Sequence, residues 1–179
     1  MENSQADTLS LVKRAVRGNI DAYGTLITDY QDYLYRTAFL YVKKEDLALD
    51  VVGDCILKGF QSIHTLKKPE FFKTWLTRIL IHCAMDTFHK LLPLASADTF
   101  QAVSSSPGIS PEEKWDLYDA IDLLPEKHRT VIILKYFNDL TVNEIAYAMN
   151  IPEGSVKAYL SRARRELRNF LKEDYIYAT

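Results

Sequence analysis

Apolar residues recur every three or four positions along most of the chain, a spacing that predicts helices. One such stretch runs from Ile20 to about Tyr41, a second from about Glu45 to His64, and a third from about Phe71 to Leu91. A shorter helix is predicted before them, and Gly18-Asn19 ends it and starts the next. No stretch alternates between apolar and polar residues as a strand would, so we expect an all-α fold.

The apolar residues of the predicted helices should form buried faces. In the helix that begins near Glu45, they are Leu47, Val51, Cys55, Ile56 and Phe60. In a helix that begins after Pro111, they are Trp115, Leu117, Tyr118, Ile121 and Leu124. A further helix opens at Pro125, and in it we expect burial of Val131, Ile132 and Leu134.

The helical pattern is interrupted between Pro93 and Pro111, where serines, prolines and Gly108 appear. This composition is typical of a linker. Ser110 and Pro111 then begin a helix, with a cap residue followed by proline at the first helical position. We therefore predict two small all-helical domains, residues 1–91 and 112–172, joined by a flexible linker over residues 92–111 and followed by a tail over residues 173–179.

The segment from Thr141 to Arg168 predicts two helices joined by a short turn. Thr141 and Glu144 have the spacing of a capping box. Asn150–Gly154 interrupts the helix, and Pro152 can open the next one. The second helix places Val156, Leu160, Ala163 and Leu167 on one face and basic residues on the others. This order is typical of a helix-turn-helix, whose second helix enters the major groove of DNA.

A basic amphipathic helix is not by itself evidence of DNA binding, because in many all-α proteins such a face is only solvated. Three features favour DNA binding here: the tight turn, the small Ala146 where the two helices must cross, and the local charge. Lys157 to Lys172 contains six basic residues and the single acid Glu166. Because the net charge of the chain is −2, any nucleic-acid contact must come from local patches rather than bulk attraction.

Two further surfaces have alternative interpretations. Asp46, Asp50, Asp54 and Lys58 recur at intervals of four, so they form either a solvated face or a docking surface for a basic partner. The helix that begins near Phe71 mixes aromatic and basic residues. Single-stranded nucleic acid is bound by such residues, because aromatic rings stack on the bases and positive charges attract the phosphates. Trp75 and most other apolar residues of this helix are alternatively core.

The remaining chemistry argues against an enzyme, a metal site or a secreted protein. Cys55 and Cys83 are too few for a disulfide framework, and we expect buried thiols in a reducing, cytoplasmic compartment. His82, Cys83 and His89 do not make a complete metal-ligand set, and we expect no metal and no cofactor. The sequence shows no nucleophile–base pair, signal peptide or apolar run of about 20 residues.

Both halves of the chain resemble the extracytoplasmic-function (ECF) class of bacterial sigma factors. GNIDAYGTLITDYQDYLYRTAFLYV, DVVGDCILKGF and FFKTWLTRILIHCAMD are similar to the sigma-2 domain. LLPEKHRTVIILKYFNDLTVNEIAYAMNIPEGSVKAYLSRARREL is similar to the sigma-4 domain, a helix-turn-helix domain. The chain departs from the family pattern at Gly53, where glutamine is common, at His82, where asparagine is common, and in the arginine-poor segment Phe88–Leu92.

The resemblance implies that the protein binds core RNA polymerase and directs it to particular promoters, with no catalytic residue of its own. Polymerase contacts carry over to Asp50, Asp54, Leu57 and Lys58. Contacts to the minus-ten element carry over to Lys67, Lys68, Pro69, Glu70, Lys73, Arg78 and His82. In the upstream, minus-thirty-five element, base contacts carry over to Lys157, Ala158, Ser161 and Arg162, and phosphate contacts to Ser155, Arg164 and Arg165.

The resemblance also implies regulation by an anti-sigma factor, often membrane-bound, and a role in a stress response. The protein itself is expected to be cytoplasmic, without direct membrane insertion. The alternative is a stand-alone helix-turn-helix regulator with an N-terminal sensing or dimerisation domain. The short segment after Leu171 contains no dimer helix, which argues against that alternative.

Overall fold

The computed structural model describes residues 2–95 and 117–177, with side chains for residues 6–90 and 117–170. All regular elements within these ranges are helical, which confirms the all-α prediction. The contacts divide the chain into two compact units, Met1–Pro93 with Tyr147–Met149 and Leu94–Ala146 with Asn150–Thr179, which are described separately below. Residues 92–95 of the predicted linker are helical and belong to α4. The rest of that linker, the helix start at Ser110-Pro111 and Trp115 lie outside the described residues. The domain bounds given above therefore remain predictions.

The first unit contains four α-helices and two short 3-10 turns. The helices are α1 (Glu2–Val16), α2 (Ile20–Val42), α3 (Glu45–Ser62) and α4 (Phe72–Ala95), and the 3-10 turns are Ile63–Thr65 and Pro69–Phe71. Gly18, with φ +93°, separates α1 from α2, as the sequence predicted. Asn19 caps α2, since its side-chain oxygen accepts a hydrogen bond of 2.7 Å from the backbone N–H of Ala22.

Side chains from all four helices form the core of this unit. The fully buried residues include Val12 of α1, Leu26 and Leu34 of α2, Val51 of α3, and Leu76 and Leu80 of α4. Trp75 is also buried, with only 7% of its surface exposed. Its interpretation as core is therefore confirmed.

The orientation of α3 differs from the prediction at Phe60, which is 44% exposed. The buried line of the helix instead runs through Val51, Cys55 and Gly59. Tyr23 of α2 crosses α3 at this point, and its hydroxyl donates a hydrogen bond of 2.8 Å to the carbonyl of Ile56. Gly59 leaves room for that hydroxyl, and Phe60 packs beside the Tyr23 ring with centroids 5.5 Å apart.

The two glycines of α3 should respond in opposite ways to alanine. A Cβ at Gly59 would lie 2.5 Å from the Tyr23 hydroxyl, whereas a Cβ at Gly53 would meet nothing within 4 Å. Gly53→Ala should therefore stabilise the protein by about 0.5–1 kcal/mol, the helix-propensity difference. Gly59→Ala should destabilise it by about 1–3 kcal/mol through overpacking. Chemical denaturation of the two variants would test this, and equal shifts would contradict the packing at Gly59.

Both cysteines lie within the core of the first unit. Cys55 and Cys83 are buried and not disulfide-bonded, as predicted. Burial raises the pKa of the Cys55 thiol far above its usual value, and burial also raises the pKa of Cys83. Because the thiolate is the reactive form, both side chains are chemically inert in the folded protein.

In its described part, the second unit contains four helices, and the second of these ends in a π-helical turn. They are α5 (Leu117–Asp122), α6 (Glu126–Ile132) continued by a π-helical turn (Ile133–Phe137), α7 (Val142–Met149) and α8 (Glu153–Tyr177). The predicted burial of Val131, Ile132 and Leu134 is confirmed. Other buried residues that close this core are Ile133, Leu140, Ile145, Val156, Leu160 and Ala163.

One prediction for the second unit is wrong, and one predicted helix departs from regular α-helical geometry at its end. Leu117 and Tyr118 are each 46% exposed, because the described part of α5 buries only the side that carries Ala120 and Ile121. The helix that opens after Pro125 does not stay α-helical throughout its length. At its end the N–H of Asn138 donates to the carbonyl of Ile133, five residues earlier, at 3.2 Å.

Candidate nucleic-acid interface

Local hydrogen bonds define the start of the helix-turn-helix. The N–H of Glu144 donates to the Thr141 hydroxyl at 3.3 Å, and the N–H of Thr141 donates to the Glu144 carboxylate at 2.8 Å. These reciprocal bonds satisfy two backbone donors that the first turn of α7 leaves without helical partners. They confirm the capping box that the sequence predicted.

The turn between α7 and α8 is fixed by backbone and side-chain contacts. Asn150 ends α7 in the left-handed conformation, with φ +54°. The N–H of Ile151 donates to the carbonyl of Ala146 at 3.0 Å, and Ala146 is buried, as its small size indicated. The Asn143 amide also donates to the Glu153 carboxylate at 2.9 Å, which joins the start of α7 to the start of α8. This last contact was not predicted from the sequence.

Loss of the capping box should destabilise the protein measurably. Thr141→Ala removes the cap hydroxyl and should lower the free energy of unfolding by about 1 kcal/mol. Thr28→Ala is the matched control, because the Thr28 hydroxyl bonds only to the carbonyl of Gly24 within α2 and caps no helix. Thermal denaturation of both variants would measure the difference. Equal melting temperatures would show that the cap contributes nothing.

Helix α8 presents its basic residues to solvent. Val156, Leu160 and Ala163 are buried, while Leu167 is only half-buried. The predicted inner face is therefore more deeply buried near the start of α8 than at Leu167. The exposed residues among those predicted to contact upstream DNA are Lys157, Ala158, Ser161, Arg162, Arg164 and Arg165; Ser155 is half-buried. All seven lie on one α-helix, and the major groove of B-DNA is wide enough to admit an α-helix. Their individual contacts stay predictions.

One contact to α8 comes from a distant part of the chain. Nδ1 of His128, on α6, lies 3.0 Å from Oε2 of Glu166, the acid within the basic segment. The His128 ring also lies against Tyr159, with centroids 5.6 Å apart. The His128 side chain is 12% exposed and that of Glu166 is 32% exposed. Sequence periodicity could not reveal this pair, because 38 positions separate its members.

The acidic stripe on α3 is a surface feature. Asp46, Asp50, Asp54 and Lys58 are all exposed. Nζ of Lys58 lies 3.7 Å from the carboxylate of Asp86, on α4. Leu49 and Leu57 are 54% and 56% exposed, so apolar side chains accompany the acids. Leu49 had not been identified from the sequence.

The segment predicted to contact the minus-ten element joins the 3-10 turns to α4. Lys67, Lys68, Glu70 and His82 are exposed, whereas Pro69, Lys73 and Arg78 are half-buried. Nζ of Lys68 lies 5.7 Å from the centre of the Phe71 ring. The structure thus places most of this set at the surface, while the neighbouring Phe72 and Trp75 are core.

An aromatic residue of α2 completes this surface. Nζ of Lys73 lies over the Tyr33 ring at 4.7 Å from its centre, a cation–π geometry. The Tyr33 hydroxyl shares a hydrogen bond of 2.7 Å with the Thr77 hydroxyl, which ties α2 to α4. Tyr33 was not predicted from the sequence, because Lys73 is 40 positions away along the chain and only the fold brings the two side chains together.

Neither metal ligation nor membrane insertion finds support in the described ranges. There, no three His, Cys, Asp or Glu side chains are grouped to hold a metal ion. No helix within residues 2–95 or 117–177 is both long and apolar enough to cross a bilayer.

Two family profiles match the chain, and both describe sigma-70 regions. Residues 26–91 match sigma-70 region 2, and residues 114–167 match sigma-70 region 4. The chain is 38% identical over 152 residues to the RNA polymerase sigma factor SigV of Bacillus subtilis, which covers 84% of this chain and 92% of that protein. It is 28% identical over 178 residues to the ECF RNA polymerase sigma factor SigW of the same organism, covering 90% and 95%.

A solved structure has the same overall fold. The sigma factor RpoE of Bartonella quintana, crystallised with the anti-sigma factor NepR, aligns with a TM-score of 0.66 at 21% identity. The alignment covers 86% of this chain and 98% of that one.

Proposed function

Because this chain belongs to the ECF family of RNA polymerase sigma factors, we propose that it binds core RNA polymerase and directs it to start transcription at particular promoters. The observation that carries the proposal is the match to sigma-70 regions 2 and 4 in one chain, in that order. The exposed basic face of α8, on a well-formed helix-turn-helix, supports it.

The polymerase-binding surface in this proposal is the exposed side of α3. Asp50, Asp54 and Lys58 supply charge, and Leu57 supplies an exposed apolar group. Charged groups of this kind fix register and speed encounter, while a buried apolar anchor contributes more of the affinity. Gly53 lies on the same exposed side with open space at its Cα, so it places no steric obstacle in a partner's way.

The opened minus-ten strand is held, in our proposal, by the exposed loop Lys67–Glu70 together with Lys73, Arg78 and His82. Extracting a base from the duplex costs a few kcal/mol, and contacts to the melted strand must offset that cost. Lysines supply attraction to the phosphates. Tyr33, whose ring is already engaged by Lys73, adds a stacking surface at the edge of this site.

The upstream element is read by α8. Lys157, Ala158, Ser161 and Arg162 face the bases in this proposal, with arginine suited to the O6 and N7 acceptors of guanine. Ser155, Arg164 and Arg165 contact phosphates and so fix the position of the helix. The net charge of −2 indicates that DNA affinity alone is modest. Polymerase therefore supplies much of the binding energy in the complex.

The protein is a transcription initiation factor, and we propose that it performs no chemistry of its own: the polymerase forms the phosphodiester bond. We further propose that it acts in the cytoplasm, in a stress response, and that an anti-sigma factor sequesters it. The last point is supported by the fold it shares with a sigma factor crystallised with such a partner. That partner could hold it at a membrane.

Run-off transcription with purified bacterial core polymerase and a library of promoter fragments tests the proposal. We expect transcripts from a subset of promoters that share two spaced elements, and weak DNA binding by the protein alone. Tight sequence-specific binding by the isolated protein, with no affinity for core polymerase, would instead identify a stand-alone regulator. A stable dimer in sedimentation would support that second outcome.

A further inference from the structure

Glu166 is the one acid within the basic segment Lys157–Lys172 of the sequence, and it lies close enough along the chain to pair with Arg162. The two residues are four positions apart on α8, which places their side chains on adjacent points of the helix surface. A carboxylate at that position can form an ion pair with the arginine. It would then compete with DNA for the same guanidinium group.

In the structure, the Glu166 carboxylate contacts α6. Its Oε2 lies 3.0 Å from Nδ1 of His128, on α6, in a site where the imidazole is 12% exposed. The His128 ring is itself positioned by Tyr159, which lies on the same flank of α8. Arg162 is exposed.

We propose that His128 is a positioning residue for promoter recognition: it draws the Glu166 carboxylate toward α6 and so keeps Arg162 available to DNA. The inference rests on the proposed role of α8 in reading the upstream element. It assigns a role to two residues that are not themselves expected to touch a base.

The test is a double-mutant cycle on the holoenzyme. Transcription is measured from two promoters, one with the preferred upstream element and one with that element changed at the base that Arg162 reads. The quantity compared between variants is the ratio of the first transcription level to the second. His128→Ala should lower this ratio about 1.4- to 2.3-fold, because a released Glu166 can pair with Arg162. Glu166→Ala should leave the ratio at or above the wild-type value. The double variant His128→Ala/Glu166→Ala should restore it.

A purely structural role predicts a different pattern. If the contact only stabilised the domain, Glu166→Ala would lower the ratio as much as His128→Ala, and the double variant would show no recovery. That result would overturn the proposal. His128→Asn, which retains a donor near the Nδ1 position, should recover part of the wild-type ratio. Lys127→Ala, an exposed neighbour on the same helix, is the matched control and should leave the ratio unchanged.

Folding and the underlying function are controlled separately. The melting temperature of each variant shows whether α6 and α8 still pack, and recovery in the double variant cannot arise from an unfolded domain. If the wild-type protein directs no promoter-specific transcription at all, the proposed function fails before this question is reached. If the wild type is active and the double variant is not restored, only the role of His128 is wrong.

Discussion

Replacing Asp50 and Asp54 together by lysine should weaken binding to core RNA polymerase by about 3 kcal/mol, on the order of 100-fold in Kd. Both side chains are exposed on α3, one helical turn apart, beside the exposed Leu57. Reversal places like charges opposite one another in the complex, which costs more than the loss of an attractive contact. Fluorescence anisotropy of the labelled protein with core polymerase would give the Kd directly.

The matched control makes the same change in net charge on another helix. Asp29 and Asp32 of α2 are both exposed, and the Asp32 carboxylate lies 3.8 Å from Arg36 in an ion pair with both side chains 78% exposed. Such a pair contributes little to stability. Asp29→Lys/Asp32→Lys should therefore bind polymerase nearly as well as the wild type. Equal losses in the two double variants would show that net charge, and not the α3 surface, determines the affinity.

Arg162→Ala and Arg165→Ala should separate base reading from phosphate anchoring. We expect Arg162→Ala to cost about 1–3 kcal/mol at promoters with the preferred upstream element and much less at promoters altered there. Arg165→Ala should weaken binding equally on all sequences. It should also reduce the slope of log K against log salt concentration by about one, since one phosphate contact is lost. Holoenzyme binding to a panel of promoters at several salt concentrations would measure both effects.

These two arginines control for each other, because each substitution removes the same side chain from an exposed position on the same helix. Identical behaviour across promoters would show that Arg162 does not read a base. A promoter-dependent effect of Arg165→Ala, with a uniform effect of Arg162→Ala, would exchange the two roles.

The positions of the long helices could be predicted from the sequence because their signals are local. The predicted helix from about Glu45 to His64 corresponds to α3 and the 3-10 turn that follows it, and the one from about Phe71 begins within one residue of α4. Periodicity did not predict how α3 is rotated. The outward position of Phe60 depends on the approach of Tyr23 to Gly59, a contact between residues 36 positions apart.

In the candidate site, too, the local features could be predicted from the sequence and the contacts between helices could not. The capping box, the tight turn and the basic face of α8 all follow from residues within a few positions of each other, and the sequence predicted them. The pairs Tyr33–Lys73 and His128–Glu166 join separate helices, so they become visible only when the helices pack. The π-helical turn at Ile133–Phe137 was not predicted from the sequence either; it buries Ile133 and Leu134 and leaves Tyr136 53% exposed.

The buried thiols of Cys55 and Cys83 make the native chain a convenient background for site-directed labelling. Both thiols are enclosed by the core of the first unit, and both have a raised pKa, so maleimide probes should react with them slowly. A cysteine introduced on an exposed helix position of each unit would be the fast-reacting one. Pairs of fluorophores could thus report the separation of the two units in the free protein and on the polymerase, without first removing a native residue.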